Sequence, residues 1–228
     1  MRTDYLAHDG WYRRYQAEGK PGWDDAADYE VTQEILQTVL SREFVPRRGR
    51  LLELGCGAGN ITLWLGARGY EVHGVDISPV AIGWARQRAG LSKRKADFRE
   101  GNVVTLHGWP RDKFDVVLDG HCLHCIIGSD RARTLRSAFR VLKPGGCLIV
   151  HTMVGPHVPK AVKGYDRRSR CQIVDGVAVR YFGRPDEILA ELGAAGFRVE
   201  YSELMGPRCK NDNECMLVGA LKPKMAQH

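Results

Sequence analysis

Residues 51–60 read LLELGCGAGN, and this stretch decides the fold. An apolar run typical of a strand ends at an acid, Glu53, and glycine then occupies every second position from Gly55 to Gly59. The segment that Asn60 opens, ITLWLGARGY, is predicted to be a helix. A strand, a glycine turn and a helix together bring backbone N–H groups and a helix N-terminus against a polar ligand. A dinucleotide fingerprint G-x-G-x-x-G would require glycine in place of Asn60, so the spacing argues against that ligand.

Strands and helices alternate on both sides of this stretch. We predict further strands at 70–75, 96–100, 114–118, 147–151, 197–204 and 216–221, and helices at 28–43, 61–67, 80–89, 130–142 and 185–195. Such alternation predicts a parallel sheet with helices on both faces, where ligands bind beyond the carboxyl ends of the strands. The last two strands follow one another without a helix between them, which departs from that alternation. We expect a single domain over residues 1–228.

Composition and charge limit the class of protein. The chain has 228 residues, 43% hydrophobic and 27% charged, which is typical of a globular domain with a large core. It contains neither an apolar run of about 18 residues nor an apolar N-terminal stretch, so we expect a cytoplasmic protein with no membrane partner. The net charge of +7 would suit nucleic acid, but the basic residues are spread along the chain. Such spreading is typical of solvated surface, so we do not expect a nucleic-acid partner.

The pattern E-x-G-x-G-x-G from Glu53 to Gly59 resembles motif I of the class I S-adenosylmethionine (SAM) methyltransferases. Further motifs similar to those of this family follow in order: Asp76 after the second strand, EGNV at 100–103, FDVVLD at 114–119 and RVLKPGGCL at 140–148. The resemblance covers residues 11–221. It implies a Rossmann-like seven-stranded, mostly parallel sheet with helices on both faces and a C-terminal antiparallel hairpin. It also implies an enzyme that transfers a methyl group from SAM and releases S-adenosylhomocysteine.

The resemblance assigns contacts to the methionine and ribose parts of the donor. Backbone N–H groups of the turn at Gly55, Cys56 and Gly57 suit the carboxylate of the methionine end, and Glu53 suits its ammonium group. Asp76 stands at the end of the second strand, where an acid can accept hydrogen bonds from both ribose hydroxyls.

The adenine end and the methyl group have candidate contacts further along the chain. Ile77 can pack on the adenine ring. Asn102 stands where the family usually has an acid, and its amide can still accept from the adenine amino group, while the N–H of Val103 meets the ring. Asp119 would end near the methionine end and the methyl group. The alternative for such strand-end acids is that they cap the helices that follow them.

Two flanking segments resemble parts of the family that surround the donor and the acceptor. The pattern W-Y-x-x-Y-x-x-x-G-x-x-x-W-D at 11–24 is similar to the N-terminal segment of thiopurine and thiocyanate/tellurite methyltransferases, whose tryptophan covers SAM. We therefore predict that residues 1–45 form a lid or helical segment and that Trp23 binds the cofactor, although Gly22 replaces the proline of that motif. The alternative is an arm that only packs its aromatic side chains on the domain. Residues 152–183 resemble the insertion that shapes the substrate site in this family.

Three histidines are candidate catalytic bases. Methyl transfer is an in-line displacement that depends on positioning, and it needs a base when the nucleophile carries a proton. His121 and His124 follow the fourth strand in GHCLHCI, and His151 ends the fifth. His121 is also predicted to contact the methionine end of the donor. A structural role is the alternative for His124, because a similar L-H-H pattern recurs at this place in the family.

The seven cysteines are expected to be reduced, since no signal peptide is apparent. Cys56 and Cys147 are predicted to lie in the core or to line the cleft. We predict that the remaining five lie around the pocket mouth, near His121, His151 and His157. They are Cys122, Cys125, Cys171, Cys209 and Cys215. We interpret them as buried or incidental thiols and expect no metal, and a zinc or metalloid site built from such soft ligands is the alternative.

The sequence thus predicts a SAM-dependent methyltransferase that acts on a small molecule. The N-terminal resemblance favours a thiol, chalcogen or metalloid acceptor over an oxygen or nitrogen acceptor. A tRNA or rRNA methyltransferase and a non-catalytic SAM-binding partner protein remain alternative hypotheses.

Overall fold

The centre of the fold is a sheet of seven strands. The computed structural model describes residues 1–93, 95–156, 158, 162–208 and 212–224. The strands are β1 Gly49–Leu54, β2 Tyr70–Asp76, β3 Ala96–Glu100, β4 Phe114–Gly120, β5 Leu142–Met153, β9 Arg198–Met205 and β10 Cys215–Leu221. Their order is β3-β2-β1-β4-β5-β10-β9. Strands β1 to β5 pair in parallel, and β10 runs antiparallel to both β5 and β9. The predicted Rossmann-like sheet with a C-terminal hairpin is confirmed.

Helices cover both faces of this sheet. They are α1 His8–Ala17, α2 Ala26–Leu40, α3 Asn60–Gly66, α4 Pro79–Leu91, α5 Ser129–Val141 and α6 Pro185–Ala194. Neighbouring residues of a strand point to opposite faces, and both Leu51 and Leu52 are fully buried. Leu51 belongs to a core cluster with Leu36 of α2, and Leu52 to a second cluster with Leu135 of α5. The sheet is therefore buried on both sides, as parallel sheets are.

Strand β5 begins earlier than the sequence predicts. The stretch Lys143 to Gly146 was expected to be a turn before the strand, yet it lies inside β5. Backbone hydrogen bonds hold it there: the N–H of Gly145 donates to the carbonyl of Lys222, and the N–H of Lys222 donates to Gly146. The pairing with β4 shifts register at this point, so the proline and the two glycines form an irregularity within a paired strand.

The segment after β5 builds a small second sheet. Its strands are β6 Tyr165–Asp166, β7 Cys171–Val174 and β8 Val177–Tyr181, and all pairs are antiparallel. Cys171 and Ala178 pack against Ile127, which follows β4. The N–H of Ala178 donates to the carbonyl of Arg2, 3.0 Å away. The insertion is thereby fixed between the N-terminal segment and the loop after β4. Among the described residues, we find no helix with the length and apolar character needed to cross a membrane.

Candidate active site

The glycine turn after β1 forms the floor of the site. Gly55 and Gly57 have φ angles of +64° and +51°, a left-handed conformation that side chains disfavour. A Cβ atom on Gly55 would lie 2.7 Å from the sulfur of Cys122, and one on Gly57 would lie 2.5 Å from the hydroxyl of Tyr12. The turn therefore requires glycine both for its backbone shape and for its contacts with α1 and with the loop after β4.

A cleft of about 1100 Å³, partly open to solvent, lies over this turn. It is bounded by the carboxyl ends of β1, β2 and β4, the loop after β3 and the N-terminal segment. The predicted donor-binding residues that line it are Trp23, Glu53, Gly55, Cys56, Gly57, Asp76, Ile77, Asn102, Val103 and His121. The structure thus brings together residues up to 98 positions apart in the sequence, as the motif order predicted.

Asp76 links the glycine turn to the start of α4. One carboxylate oxygen accepts the N–H of Gly57 and the other accepts the N–H of Ser78, both at 2.9 Å. Burial raises the pKa of this carboxyl group. Each oxygen keeps a further lone pair, because a carboxylate has about four acceptor sites. Asp76 can therefore brace the turn and still accept hydrogen bonds from a ligand diol.

Glu53 is a buried acid in the wall of the cleft. It accepts a hydrogen bond from the hydroxyl of Thr62. Burial, with smaller contributions from the nearby charges of Asp76 and Asp119, raises the pKa of Glu53 to about 8. A cationic ligand group beside Glu53 would reverse this shift, since an opposite charge favours the ionised carboxylate. Glu53 is therefore suited to pair with a cationic ligand group, which would favour its ionised form.

Asp119 does not contact the cleft, in contrast to our prediction. One of its oxygens accepts the N–H groups of Cys122 and Leu123, at 3.1 and 2.8 Å, which begin the 3₁₀ turn Leu123–Cys125. The other oxygen is buried and has no partner among the described residues. Burial raises the pKa of this carboxyl group to about 7. The geometry corresponds to the capping alternative, because the acid holds the loop that carries His121 and His124.

Asn102 lines the cleft with part of its amide already engaged. Its carbonyl oxygen accepts the N–H of Val104 at 2.8 Å, which closes a turn after β3. One lone pair and both amide N–H donors remain for a ligand. The predicted contact with an adenine edge therefore remains geometrically available.

Aromatic residues of the N-terminal segment form one side of the cleft. Trp23 packs on His8, Tyr12 and Tyr15, with ring centroids 5.3 to 5.5 Å apart. The carbonyl of Pro21 accepts a hydrogen bond from the side-chain amide of Asn60, 3.1 Å away. Residues 5–29 thus form one wall of the cleft. The sequence analysis had left open whether this segment is a lid or an arm packed on the domain.

Sequence reasoning missed Asp9, which fixes this wall. Its buried carboxylate accepts the hydroxyl of Ser78 at 2.7 Å and the N–H of Val80 at 3.1 Å, and it pairs with Arg13 at 2.8 Å. These hydrogen bonds lower the pKa of Asp9 despite the opposing effect of burial. The only sequence signal was the Ser78-Pro79 start of α4, because the contact joins residues about 70 positions apart.

A second chamber of about 740 Å³ adjoins the cleft. Asp24, His121 and Met153 line both cavities. Sulfur atoms of Met153, Met205 and Cys215 contribute to its lining. Burial, with a smaller contribution from neighbouring acids, raises the pKa of Asp24 to about 6.

The three candidate histidines occupy different places around the two cavities. His121 lines both, His124 lines only the first cleft, and His151 lines only the second chamber. The Nε2 atoms of His121 and His151 are 3.2 Å apart and their rings are nearly perpendicular. Burial lowers the pKa of all three, that of His121 to about 4. The imidazoles are therefore uncharged at neutral pH, and each has one ring nitrogen with a lone pair.

Four of the five candidate cysteine ligands lie in the part of the chain that the structure describes. Cys122 and Cys125 line the first cleft and Cys171 lies in the small sheet. Cys209, like His157, lies outside the described residues. Within the part of the chain that the structure describes, one group of three potential ligands has its atoms within 4.8 Å: His121, His151 and Cys215. Among the described cysteines, Cys215 alone belongs to this group.

Known proteins resemble this chain in sequence and in fold. A family model described as a methyltransferase domain matches residues 52–150. The chain is 30% identical over 224 residues to the ubiquinone biosynthesis O-methyltransferase of Azorhizobium caulinodans. This alignment covers 85% of this chain and 81% of that enzyme. The chain is 31% identical over 184 residues to the demethylmenaquinone methyltransferase of Thermus thermophilus, which covers 72% and 80%. The chain spans about half the length of two other curated relatives, since the alignments cover 42% and 56% of those proteins.

Among solved structures, the chain is similar to a 1,6-didemethyltoxoflavin-N1-methyltransferase of Burkholderia thailandensis with bound S-adenosylhomocysteine. The TM-score is 0.72 at 21% identity, over 95% of this chain and 88% of that one. At this identity the similarity shows a shared fold.

Proposed function

The chain belongs to the SAM-dependent methyltransferases, and on this premise we propose that it methylates a small molecule bound in the second chamber. The observation that carries the proposal is the wall shared by the two cavities, formed by Asp24, His121 and Met153. In-line transfer requires the donor methyl and the acceptor atom to lie about 3–3.5 Å apart before reaction. A donor site and an acceptor site must therefore meet at one boundary, and these two cavities do so.

We assign the donor to the first cleft. Glu53 faces the ammonium group of SAM, the N–H groups of the glycine turn face its carboxylate, and Asp76 accepts the ribose hydroxyls. The raised pKa of Glu53 supports this orientation, because the cation of the donor stabilises the ionised carboxylate. Asn102 and Val103 meet the adenine, and Trp23 closes the N-terminal side.

The reaction breaks the sulfonium S–CH₃ bond of SAM and forms a bond between that methyl and the acceptor atom. The sulfonium keeps the electron pair and becomes the thioether of S-adenosylhomocysteine. An acceptor that carries a proton loses it at the boundary between the cavities, where His121 is uncharged and His151 lies next to it.

The acceptor atom is a thiol sulfur or a heavier chalcogen or metalloid. The sulfur atoms of Met153, Met205 and Cys215 support this choice, since polarisable side chains pack well against soft atoms. The second candidate is the oxygen of a phenol or quinol. The similarity to a ubiquinone biosynthesis O-methyltransferase favours it.

Filling the second chamber tests the proposal. Met205 lines only this chamber, so Met205→Trp should reduce S-adenosylhomocysteine formation at least tenfold, while SAM affinity measured by calorimetry changes less than twofold. Leu204→Trp is the matched control, because Leu204 is exposed on the same strand. The assay compares thiol, selenol, arsenite and quinol acceptors with total tRNA. Turnover with tRNA alone would support the RNA alternative, and full activity of Met205→Trp would place the acceptor elsewhere.

A further inference from the structure

Three adjacent strands bring two histidines and a cysteine to one edge of the sheet. His151 lies in β5 opposite Gly120 of β4, and the N–H of His121, the next residue, donates to the carbonyl of His151 at 2.8 Å. On the other side His151 pairs with Leu217 of β10. Cys215 precedes Leu217 by two positions, so its side chain lies on the same face as that of Leu217. Backbone pairing thus fixes the positions of all three side chains.

The distances within this group match a metal site. Zinc binds imidazole at about 2.0–2.1 Å, which in a tetrahedral site places two such nitrogens about 3.3 Å apart. The Nε2 atoms of His121 and His151 lie 3.2 Å apart. A Zn–S bond of about 2.3 Å would place the sulfur about 3.6 Å from each nitrogen. All three ligand atoms already lie within 4.8 Å, so the thiolate needs to move by about 1 Å at most.

The backbone of His121 gives an independent sign of function. Its φ angle is +71°, in the left-handed region that a residue with a side chain rarely adopts. Such a conformation costs on the order of 1–2 kcal/mol and persists at functional sites where the surroundings enforce it.

We propose that His121, His151 and Cys215 bind a divalent ion of the zinc type, with a fourth position open to the second chamber for the acceptor. Two imidazoles and one thiolate suit zinc, and three protein ligands with one open position are typical of catalytic rather than structural sites. This inference rests on the proposed function, since it specifies how the acceptor loses its proton. A metal-bound R–XH transfers its proton to water, and the remaining R–X⁻ then attacks the methyl group.

Metal binding is measured without reference to methyl transfer. The purified chain is stripped with a chelator, loaded with Zn²⁺ or Co²⁺ and dialysed. We expect about one ion per chain and, with Co²⁺, a thiolate-to-metal charge-transfer band in the near ultraviolet. Cys215→Ser should abolish the band and weaken Zn²⁺ affinity at least tenfold, and His151→Gln should weaken it similarly.

Cys125→Ser is the matched control. Cys125 is also half-buried, with a pKa raised to about 12 like that of Cys215, but it lies outside the group. SAM calorimetry on each variant shows whether the first cleft is intact. A wild-type chain that retains no ion, or equal loss in Cys125→Ser and Cys215→Ser, would overturn the metal site. Methyl transfer by a metal-free chain would overturn the metal site and leave the proposed function standing. Ion binding without turnover of any acceptor would overturn the proposed function and leave the metal site standing.

Discussion

If SAM binds with its ammonium group beside Glu53, as we propose, this buried acid makes SAM binding depend on pH. Burial raises the pKa of Glu53 to about 8, so the carboxyl group is mostly protonated at pH 7. The ammonium and sulfonium charges of SAM stabilise the ionised form, so binding must release a proton from Glu53. We expect Glu53→Gln to remove this proton release.

The size of the effect follows from the pKa. If only the ionised form binds well, affinity rises about tenfold from pH 6 to pH 7 and about fivefold from pH 7 to pH 8. At pH 7 about 0.9 proton is released for each SAM bound, since about one Glu53 carboxyl in ten is already ionised. The glutamine of Glu53→Gln still accepts from Thr62 but carries no charge. At pH 7.5 it should weaken binding by about 1.5–3 kcal/mol, the range for a charged hydrogen bond.

Calorimetry between pH 6 and pH 7.5 in buffers of different ionisation enthalpy measures both affinity and proton release. This range lies below the titration of the α-amino group of SAM itself, at about 7.7–8.0. Glu71→Gln is the control, because Glu71 is an exposed acid on β2 paired with Arg50. Wild-type affinity that is flat with pH, or an unchanged slope in Glu53→Gln, would refute the reasoning.

Three further predictions concern stability. Gly57→Ala should destabilise the fold by at least about 1–2 kcal/mol because of its left-handed backbone, whereas Gly83→Ala, on the exposed side of α4, should stabilise by about 0.5–1 kcal/mol. Equal shifts in melting temperature would contradict this. Asp9→Ala should cost about 1–2 kcal/mol at pH 7 through loss of the cap on α4. Since the folded pKa of Asp9 is lowered, its contribution is present above pH 4 and lost as pH falls, so wild type and variant should converge in acid. Arg131→Ala, which leaves the partly exposed Glu191 without its bidentate partner, should cost about 1.5–3 kcal/mol in urea unfolding, and a loss below about 0.5 kcal/mol would contradict a stabilising role for this pair.

Local sequence signals predicted the sheet and most of the residues that line the first cleft. Apolar runs indicate strands without information from distant residues, so the end of the second strand, and with it Asp76, could be located from the sequence. Gly55 and Gly57 could be located because a tight turn after a strand requires glycine for local backbone reasons. Asp119 could not be assigned correctly. An acid at the end of β4 can face a ligand or bond the following N–H groups, and only the path of the loop through Cys122 and Leu123 decides between them.

Contacts that depend on strand register or on distant segments were beyond sequence reasoning. Cys215 and His151 are 64 positions apart, and their proximity depends on the antiparallel pairing of β10 with β5. The docking of α1 through Asp9 likewise depends on a hydroxyl 69 positions away. The sequence analysis included helix α1 only within an aromatic segment. The buried residues of this helix, Asp9 and Tyr12, become buried only when the helix packs on the domain, so they leave no apolar periodicity in the sequence.

The assignment of Asp76 to the donor ribose is tested most directly by comparing two ligands. S-adenosylhomocysteine and its 2′,3′-dideoxy analogue differ only in the hydroxyls that Asp76 is proposed to accept. We expect the wild-type chain to bind S-adenosylhomocysteine at least tenfold more tightly, since each hydrogen bond to a charged group contributes about 1.5–3 kcal/mol. In Asp76→Ala the two affinities should become equal, even if both are weakened by loss of the brace on Gly57. An unchanged ratio in Asp76→Ala would contradict the placement of the donor in this cleft.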